Sequence, residues 1–397
     1  MAYEGFVADG WSEVAEAFAH NIDNREDIGA GVSVFHKGKC VVDLAGGYFD
    51  KEATQPYTLD TLQLVFSTTK GVVATAVAMC VERGWVSYEE PVSLFWPEFA
   101  APGKEHVTVA QLLSHQAGLY TVEGDLKYEE VLDWNTMVDR LANTPPLFPV
   151  GSTHGYHAIT FGWLAGELVR RVDGRNIGRF IAEEIAHPLG GEIYVGLPQQ
   201  HEHRVSPINV GWPRSATDAP PTPAAMLPNA HLDRALSLNG ALNVKGGFNR
   251  TDMHAAEVPG ANGIANARSL AAMYSATFTE TQSPHGVVRL LNDDTRKKMI
   301  VQQTKDGEVD LVLVDDKKFK PVWGVEIKWS NRYFEKPQEL ASLIQFCKSN
   351  DFMSSLVTSI DKLGTKEIGD LMLTFLPASV YAYNIGDNTL KMKTTSF

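Results

Sequence analysis

Cysteine is scarce in this chain: Cys40, Cys80 and Cys347 are the only three in 397 residues, and they share no metal-like spacing. Thiols so few and so scattered exclude a disulfide framework. No apolar run approaches ~20 residues, so no membrane-spanning helix is expected. Residues Met1 to Phe6 lack a basic stretch followed by an apolar one, so no secretory signal is read. Positive charge is in deficit, with 35 Lys+Arg against 48 Asp+Glu and a formal net charge of -13. Such a surface repels nucleic-acid phosphates. The G-x-x-x-x-G-K-[ST] sequence of a nucleotide-binding P-loop does not occur, and His201-Glu202-His203 lacks the i, i+4 spacing of a helical zinc site. A soluble, cytoplasmic protein is expected, with no cofactor, no metal and no membrane partner.

What is present is ordinary globular material: 44% hydrophobic, 21% charged and 10% aromatic residues, enough to bury a sizeable core. The length predicts two or three domains. Charge is unevenly spread, since residues 301–397 carry a net -1 and residues 1–300 carry -12. Residues 11–20 read as an amphipathic helix capped by Ser12. Two apolar-rich runs flank His36-Lys37-Gly38-Lys39 and predict a hairpin. Leu62 to Phe66 reads as a short extended entry into Ser67. The almost wholly apolar run from Lys70 to Gly84 predicts a buried helix. Further helices are expected at 108–113 (capped by Thr108), at 156–173 and within 262–278, and the proline-rich stretch 205–230 reads as loop. After about residue 300 the grammar changes. Strands at 308–314 and 322–328 form a second hairpin, a helix follows at 337–348, and an extended run spans 371–383. A domain boundary is placed between 298 and 307, giving domains 1–300 and 301–397.

Ser67-Thr68-Thr69-Lys70 carries the chemistry of the first domain. A serine hydroxyl is a poor nucleophile and needs a base within hydrogen-bond reach. On the first turn of a helix, residues three apart share a face, so the lysine amine meets the serine oxygen. Burial disfavours the charged lysine and leaves an amine that accepts a proton. The helix N-terminus adds backbone N–H groups where an oxyanion would form. S-x-x-K alone is common on protein surfaces; here it opens a buried helix.

Together with Leu112-Leu113-Ser114-His115-Gln116-Ala117-Gly118-Leu119, the block from Gly155-Tyr156-His157, and Gly263-Ile-Ala-Asn-Ala-Arg268-Ser269, this motif resembles the serine β-lactamase and penicillin-binding-protein-like superfamily over about residues 10–300. Class C β-lactamases and family VIII carboxylesterases are the nearest in pattern. The resemblance implies an α/β (α+β) body with an antiparallel sheet and a helical region. It implies Ser67 as nucleophile, Lys70 as its activating partner and Tyr156 as the second acid/base residue. His115 takes a packing role in that pattern, while His154 and His157, flanking Tyr156, are candidates to line the pocket. Two departures stand out. The family's Tyr-x-Asn is Tyr156-His157-Ala158 here, so the amide that would hold a lactam is missing and small esters are the expected substrates. No late Lys/His-Thr/Ser-Gly strand follows residue 260. Leu363-Gly364-Thr365-Lys366 has the wrong order, and Lys305-Asp306-Gly307 puts a carboxylate where the hydroxyl belongs. The body therefore reads as truncated at its C-terminal strands, its oxyanion hole short of one donor, and its activity weak.

In the second domain, Asp310 followed by Glu326-Ile327-Lys328 has the D…E-x-K spacing of PD-(D/E)xK nucleases, in which two carboxylates and a lysine hold Mg²⁺ and orient a water. The segment 307–397 resembles the C-terminal part of archaeal-type AAA ATPases, and the resemblance implies a small nuclease-like α/β tail more than it implies nuclease activity. Three readings stand at this stage: a serine hydrolase of small-molecule esters, a non-catalytic chimera or binding module, and a metal-dependent nuclease acting through Asp310, Glu326 and Lys328.

Overall fold

The computed structural model describes residues 3–24, 27–100, 103–208, 230–300, 311–314, 321–326, 328 and 330–377. They belong to two compact units, residues 1–300 and 301–397.

In the first unit the expected hairpin forms from β2 (Gly29–His36) and β3 (Lys39–Gly47). Lys37 and Gly38 both take positive φ, 51° and 77°, as a two-residue turn matched to strand twist requires. A strand absent from the sequence reading, β1 (Tyr3–Val7), pairs antiparallel with β3 and gives the order β1-β3-β2. Alternation along β3 then decides what each sheet face meets. Val42 and Leu44 pack with Ala15 and Phe18 of helix α1 (Ser12–Asp23). Asp43, between them, pairs with Arg268 at 2.8 Å from the helix Ala267–Phe278, which packs on β2. The sheet is thus covered on both faces. Ser12 does not cap α1; Trp11 holds that position and makes no side-chain cap bond.

Helix α2 (Thr68–Glu82) is buried along most of its length, as its composition demanded, and ends before Gly84 at φ 70°. It packs against the helix Phe161–Asp173, so that Val72, Val73, Ala76 and Val77 share one core with Trp163, Leu164 and Leu168. Thr108 caps helix α3 (Val109–Leu113) in a reciprocal box with Gln111, a device worth about 1 kcal/mol. The helix expected from 156 starts only at Phe161. Residues 154–157 are irregular and 158–160 form a turn. The helix expected within 262–278 is Ala267–Phe278, capped by Asn266, whose side chain accepts from the Ser269 N–H. The proline-rich stretch lies, over 209–229, outside the described residues.

The second unit is a mixed five-stranded sheet. The strands Pro321–Glu326, Ser354–Ser359 and Leu371–Pro377 run parallel in its middle, with Leu311–Val314 and Gly364–Ile368 antiparallel on its edges. Helix Ala341–Ser349 makes the crossover that a parallel pair needs. Leu343, Cys347, Val357, Leu373 and Phe375 form its core. Among the described residues no helix is long and apolar enough to cross a membrane.

Candidate active site

The local build begins at the short strand Leu62–Leu64, which is paired on one side with Val205–Ser206 and on the other with Ile264–Ala265. From it the chain must turn sharply into α2. Phe66 makes the turn at φ 43°, a left-handed conformation that is strained for a bulky residue. Thr69 locks it: its hydroxyl donates to the Phe66 carbonyl at 2.5 Å and accepts from the Gly263 N–H at 2.9 Å. Ser67 thereby stands exposed at the start of the helix, and Lys70, one turn on, is buried.

Three segments converge on the serine. Lys70 Nζ lies 3.1 Å from Ser67 Oγ, and the Tyr156 hydroxyl donates to the same oxygen at 2.7 Å. Lys70 Nζ also donates to the carbonyl oxygens of Ala158 at 2.5 Å and Gly260 at 2.7 Å, and it sits 4.9 Å from the centre of the Tyr156 ring. The Gly260 carbonyl is delivered by a tight loop. Asn262 is fully buried and bonds the Val258 N–H and the carbonyls of Met253 and Ala256. A Cβ at Gly260 would stand 2.1 Å from the Ile159 carbonyl oxygen, so only glycine permits this approach. Burial lowers the Lys70 pKa to about 8. A neutral amine has two hydrogens and one lone pair. With both hydrogens given to Ala158 and Gly260, the lone pair is left for the Ser67 hydroxyl.

The sequence pointed to Ser67, Lys70 and Tyr156, and these three meet. His154 is exposed beside them. His157 does not line open space: its side chain is fully buried and bonded to the main chain of Leu119 and Gly155. His115 packs edge-on to Tyr156, ring centres 5.1 Å apart. In the second unit Glu326 is buried at the end of its strand and pairs with Lys328 at 2.7 Å; Asp310 lies outside the described residues. The carbonyls of Ala158 and Gly260 and the strained Phe66 escaped the sequence reading, because main-chain acceptors carry no residue signature.

A central buried helix opening on a serine–lysine pair, faced by a tyrosine and flanked by a covered antiparallel sheet, defines the penicillin-binding-protein-like class. Comparison with known proteins carries this further, and the chain belongs to the Beta-lactamase family, whose profile matches residues 14–336. It is 36% identical over 269 residues, 66% of this chain and 61% of the relative, to esterase/beta-lactamase LipL of Mycobacterium tuberculosis. It is 32% identical over 213 residues, 49% of this chain and 54% of the relative, to esterase EstB of Burkholderia gladioli. The chain thus spans less than two thirds of either curated relative. Among solved structures, that of a family VIII carboxylesterase superposes with a TM-score of 0.66 at 35% identity, covering 74% of this chain and 76% of the other.

Proposed function

We propose that the chain is a serine hydrolase of small esters that works through an acyl-serine intermediate. The observation that carries this reading is the meeting of Lys70 and Tyr156, 86 residues apart in sequence, on Ser67 Oγ. In the proposed reaction Ser67 gives its proton to Lys70 as Oγ attacks the ester carbonyl. The tetrahedral adduct collapses, the alcohol leaves with a proton relayed through Tyr156, and the acyl group remains on Ser67. A water, deprotonated by the same pair, then releases the acid. Esters are favoured over lactams because Ala158 offers no side-chain amide and its carbonyl is committed to Lys70. The name of esterase EstB agrees with that preference, while that of LipL covers both esters and lactams. The missing late strand motif removes one oxyanion donor, a loss of about 10²–10³ in rate, so turnover is expected to be weak.

A fluorophosphonate probe and p-nitrophenyl butyrate test the proposal directly. Ser67 should be the one serine labelled, and Ser67→Ala should abolish both labelling and turnover. Undiminished labelling of that variant would sink the assignment of Ser67, and a parent chain that is neither labelled nor active would return it to the reading of a non-catalytic module. Nitrocefin run beside the ester reads the oxyanion hole: turnover with kcat/KM near ~10⁵ M⁻¹s⁻¹, in the ordinary enzyme range, would show that the hole is complete.

A further inference from the structure

We propose that His115 and His157 form a neutral histidine clamp that positions Tyr156 over Ser67, an inference that rests on the hydrolase reading above. Tyr156 sits on irregular backbone ahead of a helix and is 41% exposed. Its hydroxyl has one described hydrogen bond, to Ser67 Oγ. Its two chain neighbours are both fixed by His115. The Gly155 N–H donates to the His115 carbonyl at 3.0 Å, and the His157 N–H donates to His115 Nδ1 at 3.2 Å. His115 reaches both groups at once by taking φ 64°, strain of the kind held only where surrounding structure demands it.

His157 completes the clamp from the other side. Its Nε2 accepts from the Leu119 N–H at 2.9 Å, so the ring proton is on Nδ1, which donates to the Gly155 carbonyl at 2.5 Å. His115 Nδ1 accepts a hydrogen bond from the His157 N–H, so its own proton is on Nε2. Both rings are therefore neutral by hydrogen-bond accounting alone, each in one defined tautomer. Burial and the nearby Lys70 act in the same direction, holding His157 down at about 4 and His115 at about 3; His154 is the remaining titratable neighbour that bears on His115. The two rings lie 5.3 Å apart, and His115 also packs against Phe161 at the head of the following helix. Leu119 anchors the clamp twice, since its carbonyl accepts from the Thr160 hydroxyl at 2.6 Å. These are positioning residues: neither touches Ser67 among the contacts described.

The test opposes packing to hydrogen bonding at one site. His157→Phe keeps a buried ring and loses both ring hydrogen bonds, to Leu119 and Gly155; His157→Gln keeps an acceptor for the Leu119 N–H. The expected result with p-nitrophenyl butyrate is a fall in kcat of about 10²-fold for Phe, the scale of a small misplacement, with KM within about twofold, and recovery of about tenfold for Gln. Phe equal to or better than Gln would overturn the clamp. At the second residue, His115→Asn keeps an acceptor and tolerates the left-handed backbone, and should stay within about threefold of the parent. A deeper loss overturns the proposal. Histidine-selective ¹⁵N NMR of the unmodified chain reads the tautomers without any variant; Nε2–H on His157, or titration of its ring near its ordinary value, also overturns it. A parent chain that hydrolyses no ester at all would instead sink the hydrolase reading, and the tautomers would still be there to measure.

Discussion

Each unit of this protein has a lysine that sequence analysis marked as chemical, and the two lysines meet opposite surroundings. Lys70 is buried among neutral oxygens, a hydroxyl and two carbonyls, and no ion pair involves it among the described residues. Lys328 keeps about a quarter of its side chain exposed and lies 2.7 Å from the carboxylate of Glu326. A lysine among uncharged acceptors in a desolvated place loses its proton readily. A lysine against a carboxylate forms an ion pair, and its nitrogen is engaged by charge. Short motifs do not distinguish the two, since S-x-x-K and E-x-K both place a lysine near an oxygen. The partner's charge and the depth of burial do.

The largest effect expected from this contrast is on ester hydrolysis. Lys70→Met should lower kcat/KM for p-nitrophenyl butyrate by about 10²–10⁴, the range for a positioned acid/base group. Lys328→Met should leave it within about twofold. Equal effects of the two substitutions would erase the comparison. The pH profile sharpens it: because the amine must be neutral to take the serine proton, kcat/KM should rise with pH to a limb near about 8, where burial places Lys70. Stability gives an independent check on the sign. Below about 8 Lys70 is charged in both the folded and unfolded chain, so its burial penalty is complete at neutral pH. The penalty is relieved only as pH rises from about 8 toward the ordinary lysine value of ~10.4.

Acid stability should show the next largest effect, and it too belongs to the first unit. His157 and His115 are neutral in the fold down to about 4 and about 3, whereas in the unfolded chain they take up protons below ~6.5. The unfolded state then binds more protons, so stability falls as pH falls through that window. The slope is about 1.4 kcal/mol per pH unit for each such histidine. Asp252, held down to about 2 chiefly by Arg250, adds its loss only below the ordinary carboxylate range near ~4, so the histidine window stands apart. Urea unfolding at pH 7.5, 6 and 5 measures the slope, and His157→Gln should flatten it. A pH-independent midpoint for the parent would contradict the buried neutral rings.

The same pair of regions shows what was legible in advance. Ser67 and Lys70 could be read because helical spacing brings i and i+3 together whatever surrounds them. Tyr156 came from resemblance alone, and nothing in its spacing from Ser67 required the contact. The helix expected from 156 fails over its first five residues for a physical reason. The Ala158 carbonyl goes to Lys70, and the His157 side chain goes to Leu119 and Gly155, so the apolar pattern that continues through them is not expressed as helix. His157, a candidate for the pocket because it neighbours Tyr156 in sequence, is instead fully buried, since adjacent side chains in irregular backbone point in unrelated directions. β1 was missed because a five-residue segment with one glycine and one glutamate carries too little alternation. In the second unit the hairpin and the crossover helix were legible from period and turn residues. Glu326 ends its strand and Lys328 lies just past it, so the strand expected to run to 328 stops two residues short.

The smallest expected effect is none. Incubated with Mg²⁺ and either plasmid or single-stranded DNA, the protein should produce no cleavage, and Glu326→Ala should leave that result unchanged. A nuclease of this kind needs two carboxylates free to share a divalent cation and a basic surface to hold the phosphates. Oε1 of Glu326 is taken by Lys328, so a cation would first have to break an ion pair whose carboxylate is only 6% exposed. The charge balance argues the same way, since residues 301–397 carry 12 Lys+Arg against 13 Asp+Glu. A surface so nearly neutral gathers few phosphates, and binding through a handful of lysines would be lost steeply with added salt. The assay should therefore be run at low ionic strength, where weak binding is most favoured. Cleavage that appears under those conditions and vanishes in Glu326→Ala would mean that metal displaces Lys328, and the contrast between the two lysines would then be one of occupancy rather than of design.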